Sequence, residues 1–224
     1  MKDVTGSKNS KFLGLPFYPK SKEYPFDRSG RPMLLTAQLN SEEIPTLLDF
    51  PSDGILQLFL SATNWVDREC TIVYHNKDEM EEESMDDFSF ISPMDYEKMP
   101  MSKVHGLTFE KSVENGGLND CQFDFHFGCI NWYEFTSKLI GQELSEFFAF
   151  FEVGGHKLGG YAEFSQADDP RDYKGRNKDD VQLLQMDTEK DIVFENGGIG
   201  HVFIDKASLK NKEFQNAYFT WDCN

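Results

Sequence analysis

The chain has 224 residues, of which 39 are Asp or Glu and 22 are Lys or Arg, giving a net charge of −17. Binding to DNA, RNA or anionic membranes needs clustered cations, and no basic run here exceeds two residues, so these partners are excluded. The charge favours a basic protein or peptide as partner, unless it serves only solubility.

The first third of the chain predicts three strands and one short helix. Met33–Leu39, Ile55–Leu60 and Thr71–Tyr74 are apolar runs bounded by turn residues, as expected for buried strands. Ser41 is suited to cap a helix over residues 41–48, because two glutamates follow it in the first turn.

The middle of the chain predicts an acidic surface segment, a strand and the longest helix. Residues 78–87 contain seven carboxylates and no cation, which indicates a solvated loop or helix face. Gln122–Cys129 alternates aromatic and polar residues, which favours a half-buried strand. Glu134–Glu152 repeats apolar residues at helical spacing along one face, and Val153–Gly155 ends this helix.

The last third predicts three more strands, Val181–Met186, Gly200–Ile204 and Asn216–Trp221, with a short helix at Ala207–Lys212. Together the elements predict an α+β fold of mostly antiparallel strands with few helices.

Cysteine usage and hydropathy indicate the compartment. The polar residues 1–11 lack the apolar core of a secretion signal, and no apolar run approaches the roughly 20 residues of a membrane span. We therefore expect a cytoplasmic protein whose four cysteines are reduced, with two disulfides as the alternative.

Two stretches of the chain resemble each other. In the first, Phe12–Gly14 leads through a loop to a strand ending near Gln38, and in the second, Lys157–Gly159 leads to a strand ending near Gln185. Each strand is followed by a connector and a further strand. A chance match over a few positions is the alternative explanation.

This similarity predicts an internal repeat. The repeat units cover approximately residues 12–60 and 157–204, within a single domain over residues 1–224. Because a two-stranded unit is not stable alone, we expect two duplicated β-rich halves around a pseudo-twofold axis that share one core.

Several motifs resemble the signature of the YwqG-like bacterial family, over about residues 11–224. They are Leu34–Asn40, Lys157–Tyr161, Phe164–Gln166, Asp169–Arg171, Leu183–Asp187, Gly198–Ile204 and Phe219–Cys223. The resemblance implies a family of unknown biochemical function. That family is more remotely similar to eukaryotic ribosome-assembly chaperones of the programmed-cell-death-protein-2 type, which escort a ribosomal protein. The segments that begin at Phe12 and at Lys157 are here called the first and second lead-in. Leu15 departs from the pattern, because it replaces the second glycine of the first lead-in.

No cofactor, metal or catalytic residue is predicted. Cys121, His126 and Cys129 give at most three of the four donors that zinc needs, and on a strand His126 would point away from both cysteines. The acidic segment lacks the ligand spacing of a calcium loop, and in the loop 168–180 Arg171, Lys174, Arg176 and Lys178 would compete for the oxygens. Residues 154–160 are glycine-rich, but no helix follows them to hold a phosphate.

Two roles are open for the residues of the repeat motifs. The glycines permit tight turns, and the glutamines at the strand ends are expected to bond backbone amides. Alternatively, the motif residues flank a binding groove between the two units. The candidate partner-binding or motif residues are Gln38, Gly159, Gly160, Tyr161, Gln166, Asp169, Pro170, Arg171, Gln185 and Asp187. The aromatic residues expected to line the groove are Phe17, Tyr18, Tyr161 and Phe164.

The charge and the remote chaperone resemblance together predict a non-enzymatic protein-binding module, chaperone-like or toxin-immunity-like, for a basic peptide or protein. An enzyme with a scattered active site and a small-ligand-binding protein are the alternatives, since catalytic groups can assemble from distant positions.

Overall fold

A computed structural model describes residues 6–125, 127–128, 130–166, 169–172 and 177–223. Within these ranges, no helix has both the length and the apolar character that crossing a bilayer requires.

The described chain contains short strands and short helices. The strands are β1 (Lys11–Phe12), β2 (Leu34–Asn40), β3 (Ile55–Leu60), β4 (Cys70–His75), β5 (His105–Gly106), β6 (Val181–Met186), β7 (Ile199–Ile204) and β8 (Tyr218–Asp222). The α-helices are α1 (Lys77–Met80), α2 (Trp132–Thr136), α3 (Gln142–Phe150) and α4 (Lys206–Lys210).

The strands form two antiparallel sheets. The first has the order β4-β3-β2-β1-β5 and the second the order β6-β7-β8. Every pairing between these strands is antiparallel, so the predicted α+β class with mostly antiparallel strands is confirmed. The six longer strands lie at the predicted positions, because each is an apolar run that a sheet buries on one or both faces.

The two sheets repeat the same local connection. In the first, β2 pairs with β3 and β3 with β4; in the second, β6 pairs with β7 and β7 with β8. The register shifts within β2, between Leu35 and Ala37, and within β6, between Gln182 and Leu184. One hydrophobic core contains side chains of both sheets. The duplication and the pseudo-twofold axis stay predictions.

Strand register aligns the two lead-ins differently from the sequence comparison, by one residue. Lys11 lies opposite Gln38, and Lys157 lies opposite Gln185, so Lys11 corresponds to Lys157. The first glycine of the second lead-in, Gly159, therefore corresponds to Leu13. Leu13 has a φ of 61° and Gly159 a φ of 67°, so the left-handed turn is retained where the glycine is lost. Leu15 is consequently not the residue that replaces a glycine.

Three predicted elements differ from the structure. The helix over 134–152 is broken into α2 and α3, because Gly141 has a φ of 56° that an α-helix does not allow. The described part of 122–129 forms no strand, and its phenylalanines pack on the rings of α2 and α3 instead. The helix over 41–48 is a single 3₁₀ turn, Ser41–Glu43, since the chain returns to an extended conformation at Ile44.

Candidate functional site

A buried arginine organises the second half of the chain. Arg171 is 1% exposed, and its Nη2 lies 2.6 Å from Asp169 Oδ2 and 2.8 Å from Asp120 Oδ2. Its Nη1 donates to the backbone oxygen of Asp180 at 2.9 Å, and its guanidinium lies 4.6 Å from the centre of the Phe203 ring. Its Nε also donates to Asp169, so each nitrogen of the guanidinium bonds within the protein.

The Arg171 cluster is charged although it is buried. Burial opposes charge on both partners, yet the hydrogen bonds and the field between them raise the pKa of Arg171 and lower the pKa of Asp169. The carboxylates also fix the backbone, because Asp120 accepts from the Ala162 N–H at 2.6 Å and Asp169 from the Cys121 N–H at 2.9 Å. The cluster thus joins two segments that are distant in sequence.

Among the described residues, three possible metal ligands also lie together in this cluster. Ligand atoms of Asp120, Cys121 and Asp169 lie within 4.8 Å of one another. Arg171 already bonds both carboxylates, and burial raises the pKa of the Cys121 thiol to about 12, so the sulfur stays protonated. A divalent cation would have to displace a guanidinium and bind a neutral thiol, so these residues do not fit a metal.

The zinc and calcium patterns from the sequence find little support. His126 and Cys129 lie outside the described residues, as does Asp168. In the described part of the loop, Asp169 bonds Arg171, and Asp180 accepts from the Tyr218 hydroxyl at 3.1 Å. Both carboxylates are therefore already bonded within the protein.

Gln38 and Gln185 make matching contacts. Gln38 Nε2 donates to the backbone oxygens of Ser7 and Asn9, and its Oε1 accepts from the Phe17 N–H. Gln185 Nε2 donates to the backbone oxygens of residues 153 and 155, and its Oε1 accepts from the N–H of residue 163. Each glutamine therefore ties its lead-in to the sheet, as expected for a buried polar side chain.

The glycine motif of the second lead-in wraps around Glu114. Gly160 has a φ of 70°, and a Cβ there would lie 2.4 Å from Glu114 Oε2. That carboxylate accepts from the Tyr161 N–H at 2.7 Å and from Lys157 Nζ at 2.5 Å. Asp187 accepts from the Gly155 N–H at 2.7 Å. These motif residues hold the backbone in place, and their partner-binding role stays a prediction.

The aromatic residues expected to line a groove are mostly in the core. Phe17 and Tyr18 are 0% and 3% exposed, and Phe164 is 3% exposed. Tyr161 is half-buried and packs on the Phe123 ring. The halves do enclose a cavity of about 240 Å³, but aliphatic residues dominate its wall, including Leu56 and Leu183.

A second cavity of about 240 Å³ lies at the edge of the second sheet. Its wall contains two of the predicted residues, Gln166 and Pro170, together with His201, Trp221 and Asp222. His201 is fully buried, and its Nε2 has no hydrogen-bond partner; Asp222 Oδ1 also has none. Two unpartnered polar atoms beside a cavity are uncommon in folded proteins.

The helical hairpin, residues 131–151, presents apolar side chains to solvent. Rings of this hairpin and of the preceding segment form a connected cluster, in which Phe125 contacts Phe135, Phe147 and Phe151. None of the residues of α3 is fully buried. The exposed members, here called the hairpin surface, are Phe127 (61% exposed), Tyr133 (73%), Ile140 (79%), Phe148 (44%) and Phe150 (57%).

The family described as Domain of unknown function (DUF1963) matches residues 10–223. The chain belongs to this family. No curated protein matches the sequence. The YwqG-like name suggested by the motifs stays a prediction. Because the function of this family is unknown, the function of the chain is inferred from its own residues.

Sequence reasoning missed His201, Asp222 and the hairpin surface. His201 lies within the Gly198–Ile204 motif and Asp222 within the Phe219–Cys223 motif, but the sequence gives neither a role, because the place of His201 opposite Gln185 depends on the register of β6 and β7. The break at Gly141 exposes Ile140 and Phe148, which were assigned to the buried face of one continuous helix. The glycine itself was the available signal, because glycine within a helical pattern disfavours the helix.

Proposed function

We propose that this DUF1963 protein is a non-enzymatic binding module and that its hairpin surface docks a basic amphipathic segment of a partner protein. The observation that carries the proposal is the five exposed apolar side chains of the hairpin surface. These side chains belong to α2, α3 and the segments beside them, and clustered apolar exposure marks interaction sites more often than scattered surface residues do.

The charge around the hairpin surface selects the kind of partner. Residues 131–152 contain four exposed glutamates and a single lysine, Lys138. A partner helix with apolar residues on one face and Lys or Arg beside them would bury the rings and meet the carboxylates. Exposed rings such as Tyr133 and Phe148 would also contact cations favourably.

The acidic segment 78–87 is less suited to such a partner. Lys20 Nζ lies 2.6 Å from Glu83 and 3.5 Å from Asp86, and Lys22 Nζ lies 2.5 Å from Glu79. The segment is therefore partly neutralised by lysines of the same chain, whereas the hairpin glutamates have one lysine nearby in sequence.

The described cysteines fit the proposed cytoplasmic setting. Cys70, Cys121 and Cys223 are free thiols. Reduced thiols are the usual state in the cytosol.

Fluorescence anisotropy of labelled peptides tests the docking proposal. The probe is an amphipathic Leu/Lys peptide of about four helical turns. The comparison peptides are a scrambled peptide of the same composition and a Leu/Glu peptide. We expect the Leu/Lys peptide to bind, with weaker binding at high salt, and the other two to bind much less.

Surface variants locate the contact. Tyr133→Ser and Phe148→Ser are expected to weaken Leu/Lys binding about tenfold each, as anchors of an interface do. Leu48→Ser is the matched control, because Leu48 is 88% exposed and lies outside the hairpin. Equal loss in the control, or equal binding of the Leu/Glu peptide, would refute the proposal. Binding only to lipid vesicles, or only self-association of the chain, would also refute it.

A further inference from the structure

The start of the second lead-in is paired with the sheet on one side only. Lys157 lies opposite Gln185, and the N–H of each donates to the backbone oxygen of the other, at 3.1 and 2.8 Å. Successive residues of an antiparallel ladder direct their N–H and C=O groups to opposite sides, so those of His156 and Leu158 point away from β6. Within the described residues these four groups, here called the free edge, form no hydrogen bond.

The first lead-in shows which element the free edge is missing. There β5 pairs with β1 in antiparallel fashion, on the side away from β2. The N–H of Leu107, which follows β5, donates to the oxygen of Ser10 at 3.1 Å. Since Lys11 corresponds to Lys157, Ser10 corresponds to His156. A strand in the place of β5 would therefore bond the free edge.

A cleft of about 160 Å³ lies beside the free edge. Its wall contains residues 156–158 on one side and the segment 108–112 on another, and the side chains of this segment are mostly exposed. Within the described part of the chain, no backbone group of residues 108–112 forms a hydrogen bond. A strand that enters the cleft would therefore displace no existing backbone pair.

The wall of the cleft is apolar on the side where Leu158 lies. Ile44, Leu47 and Leu158 line both this cleft and the cavity between the halves. Residues directly opposite each other in a ladder have their side chains on the same face. The residue paired with Leu158 would thus place its side chain against Ile44 and Leu47, which favours a β-branched apolar residue such as valine.

The charges of the wall favour an uncharged strand. Lys157 Nζ is paired with Glu114 at 2.5 Å, and Glu110 and Lys111 carry opposite charges. Burial lowers the pKa of His156, so its ring is neutral at physiological pH. The cleft therefore differs from the acidic hairpin in the partner that it selects.

We propose that the cleft between the free edge and the segment 108–112 binds an extended, uncharged segment of a partner protein by strand addition. The segment runs antiparallel to residues 156–158, in the place that β5 has in the first half, and its backbone bonds His156 and Leu158. Every second side chain is apolar and packs on Ile44 and Leu47. The cleft shares no residue with the hairpin surface, so this proposal and helix docking can fail separately.

Fluorescence anisotropy with two matched peptides tests strand addition. The probe is a labelled, end-blocked peptide of about seven residues in which valine and threonine alternate, a length typical of strands. The comparison peptide is N-methylated at its valines, whose N–H groups would face the free edge. We expect the Val/Thr peptide to bind with little dependence on salt, and the N-methylated peptide to bind about tenfold more weakly.

Amide hydrogen exchange of the wild-type protein locates the bound strand. We expect the Val/Thr peptide to slow exchange of the His156 and Leu158 N–H groups, because each gains an acceptor or is shielded from water. The Lys157 N–H is the internal control, since it already donates to Gln185 and should change little.

Surface variants separate the cleft from the hairpin. Leu47→Ser should weaken Val/Thr binding about fivefold, because it removes part of the apolar wall. Leu48→Ser is the matched control, since the neighbouring Leu48 is 88% exposed and lines neither cavity. Tyr133→Ser, on the hairpin surface, should also leave Val/Thr binding unchanged. Circular dichroism checks that each variant is folded.

Four results would overturn the proposal. The first is equal binding of the N-methylated peptide, and the second is unchanged exchange at His156 and Leu158 with saturating Val/Thr peptide. The third is a loss of Val/Thr binding in Tyr133→Ser but not in Leu47→Ser. The fourth is a dimer in sedimentation whose His156 and Leu158 amides are protected without peptide, which would mean that a second copy pairs with the free edge.

Discussion

The two sheets use the same backbone contacts but fill them with different chemistry. Gln38 and Gln185 each tie a lead-in to a central strand by matching hydrogen bonds. In the first sheet the neighbouring pair, Gln57 and His75, is closed by a direct bond. In the second sheet the histidine lies on the middle strand instead, and His201 Nδ1 contacts Gln182 Oε1 at 3.1 Å.

This comparison shows which equivalent positions of the two halves can carry different residues. The glutamine contacts satisfy backbone groups that would otherwise be buried without partners, so both halves need them. The positions beside them also bond the backbone, since Gln57 Nε2 donates to the Phe17 oxygen at 2.6 Å and Gln182 Nε2 to the Gly159 oxygen at 3.0 Å, but the residues that do so differ between the halves. The common contacts support the predicted duplication of residues 12–60 and 157–204, which stays a prediction.

The largest expected effect comes from the Arg171 cluster, which the first half lacks. Replacing Arg171 by Met leaves Asp120 and Asp169 buried without a cation, and we expect the free energy of unfolding to fall by about 3–5 kcal/mol. Urea denaturation measures this change.

Two further variants allow comparison with the stability lost in Arg171→Met. Asp27 also pins a loop, but it accepts from neutral donors such as Ser61 Oγ at 2.8 Å, so Asp27→Asn should cost less, about 1–3 kcal/mol. Arg28 is exposed and loosely paired with Glu69, so Arg28→Met should change stability by less than about 1 kcal/mol. Equal losses for Arg171→Met and Arg28→Met would show that the cluster contributes no specific stability.

The next effect compares the two glutamines directly. Gln38→Leu and Gln185→Leu each leave three backbone groups without their partner, so each should lower the unfolding free energy by about 1–3 kcal/mol. Gln38 additionally accepts from Gln57 Nε2 at 2.8 Å, so its loss should be the greater. A negligible loss of unfolding free energy in urea denaturation, for either variant, would contradict the inference that the glutamine holds its lead-in to the sheet.

A buried histidine makes each half sensitive to acid. Burial lowers the pKa of His75 to about 4 and that of His201 to about 3, below their ordinary value of 6.5, so unfolding takes up protons as the pH falls below that value. Each histidine thus lowers the unfolding free energy by about 1.4 kcal/mol per pH unit between pH 6 and 5. Burial raises the pKa of Asp222, so this carboxyl opposes the effect of the histidines on the pH dependence of stability.

The test is the slope of stability against pH in this interval. His75→Gln and His201→Gln should each flatten the slope by a similar amount, because each removes one buried histidine. A wild-type slope of zero, or an unchanged slope in either variant, would show that the buried histidines titrate in another way.

The smallest effect concerns Lys22, which supplies an ammonium group to the carboxylate beside His75. Its Nζ lies 2.5 Å from Glu79 Oε1, and Glu79 Oε2 lies 3.7 Å from His75 Nδ1. Lys22→Met should raise the pKa of His75, because a nearby positive charge is removed, while stability changes by less than about 1 kcal/mol. NMR titration reads this pKa, and a lower or unchanged value would contradict the prediction.

Local sequence determined the strands and the fold class. The runs at β2, β3, β6 and β7 are apolar enough to be buried whatever their partners, so their positions were predictable from pattern alone. The glutamines at strand ends were also predictable as buried polar groups that bond the backbone.

Only the tertiary structure decided which side chains meet. Arg171 forms an ion pair with Asp120, which lies 51 residues earlier in the sequence. The register of adjacent strands places His201 near Asp222. Likewise, Gly141 divides an apolar pattern that reads as one helix, and this break leaves Ile140 exposed. Sequence periodicity reports which residues are buried within one element, whereas pairs between elements depend on strand register and chain direction, which no local pattern encodes.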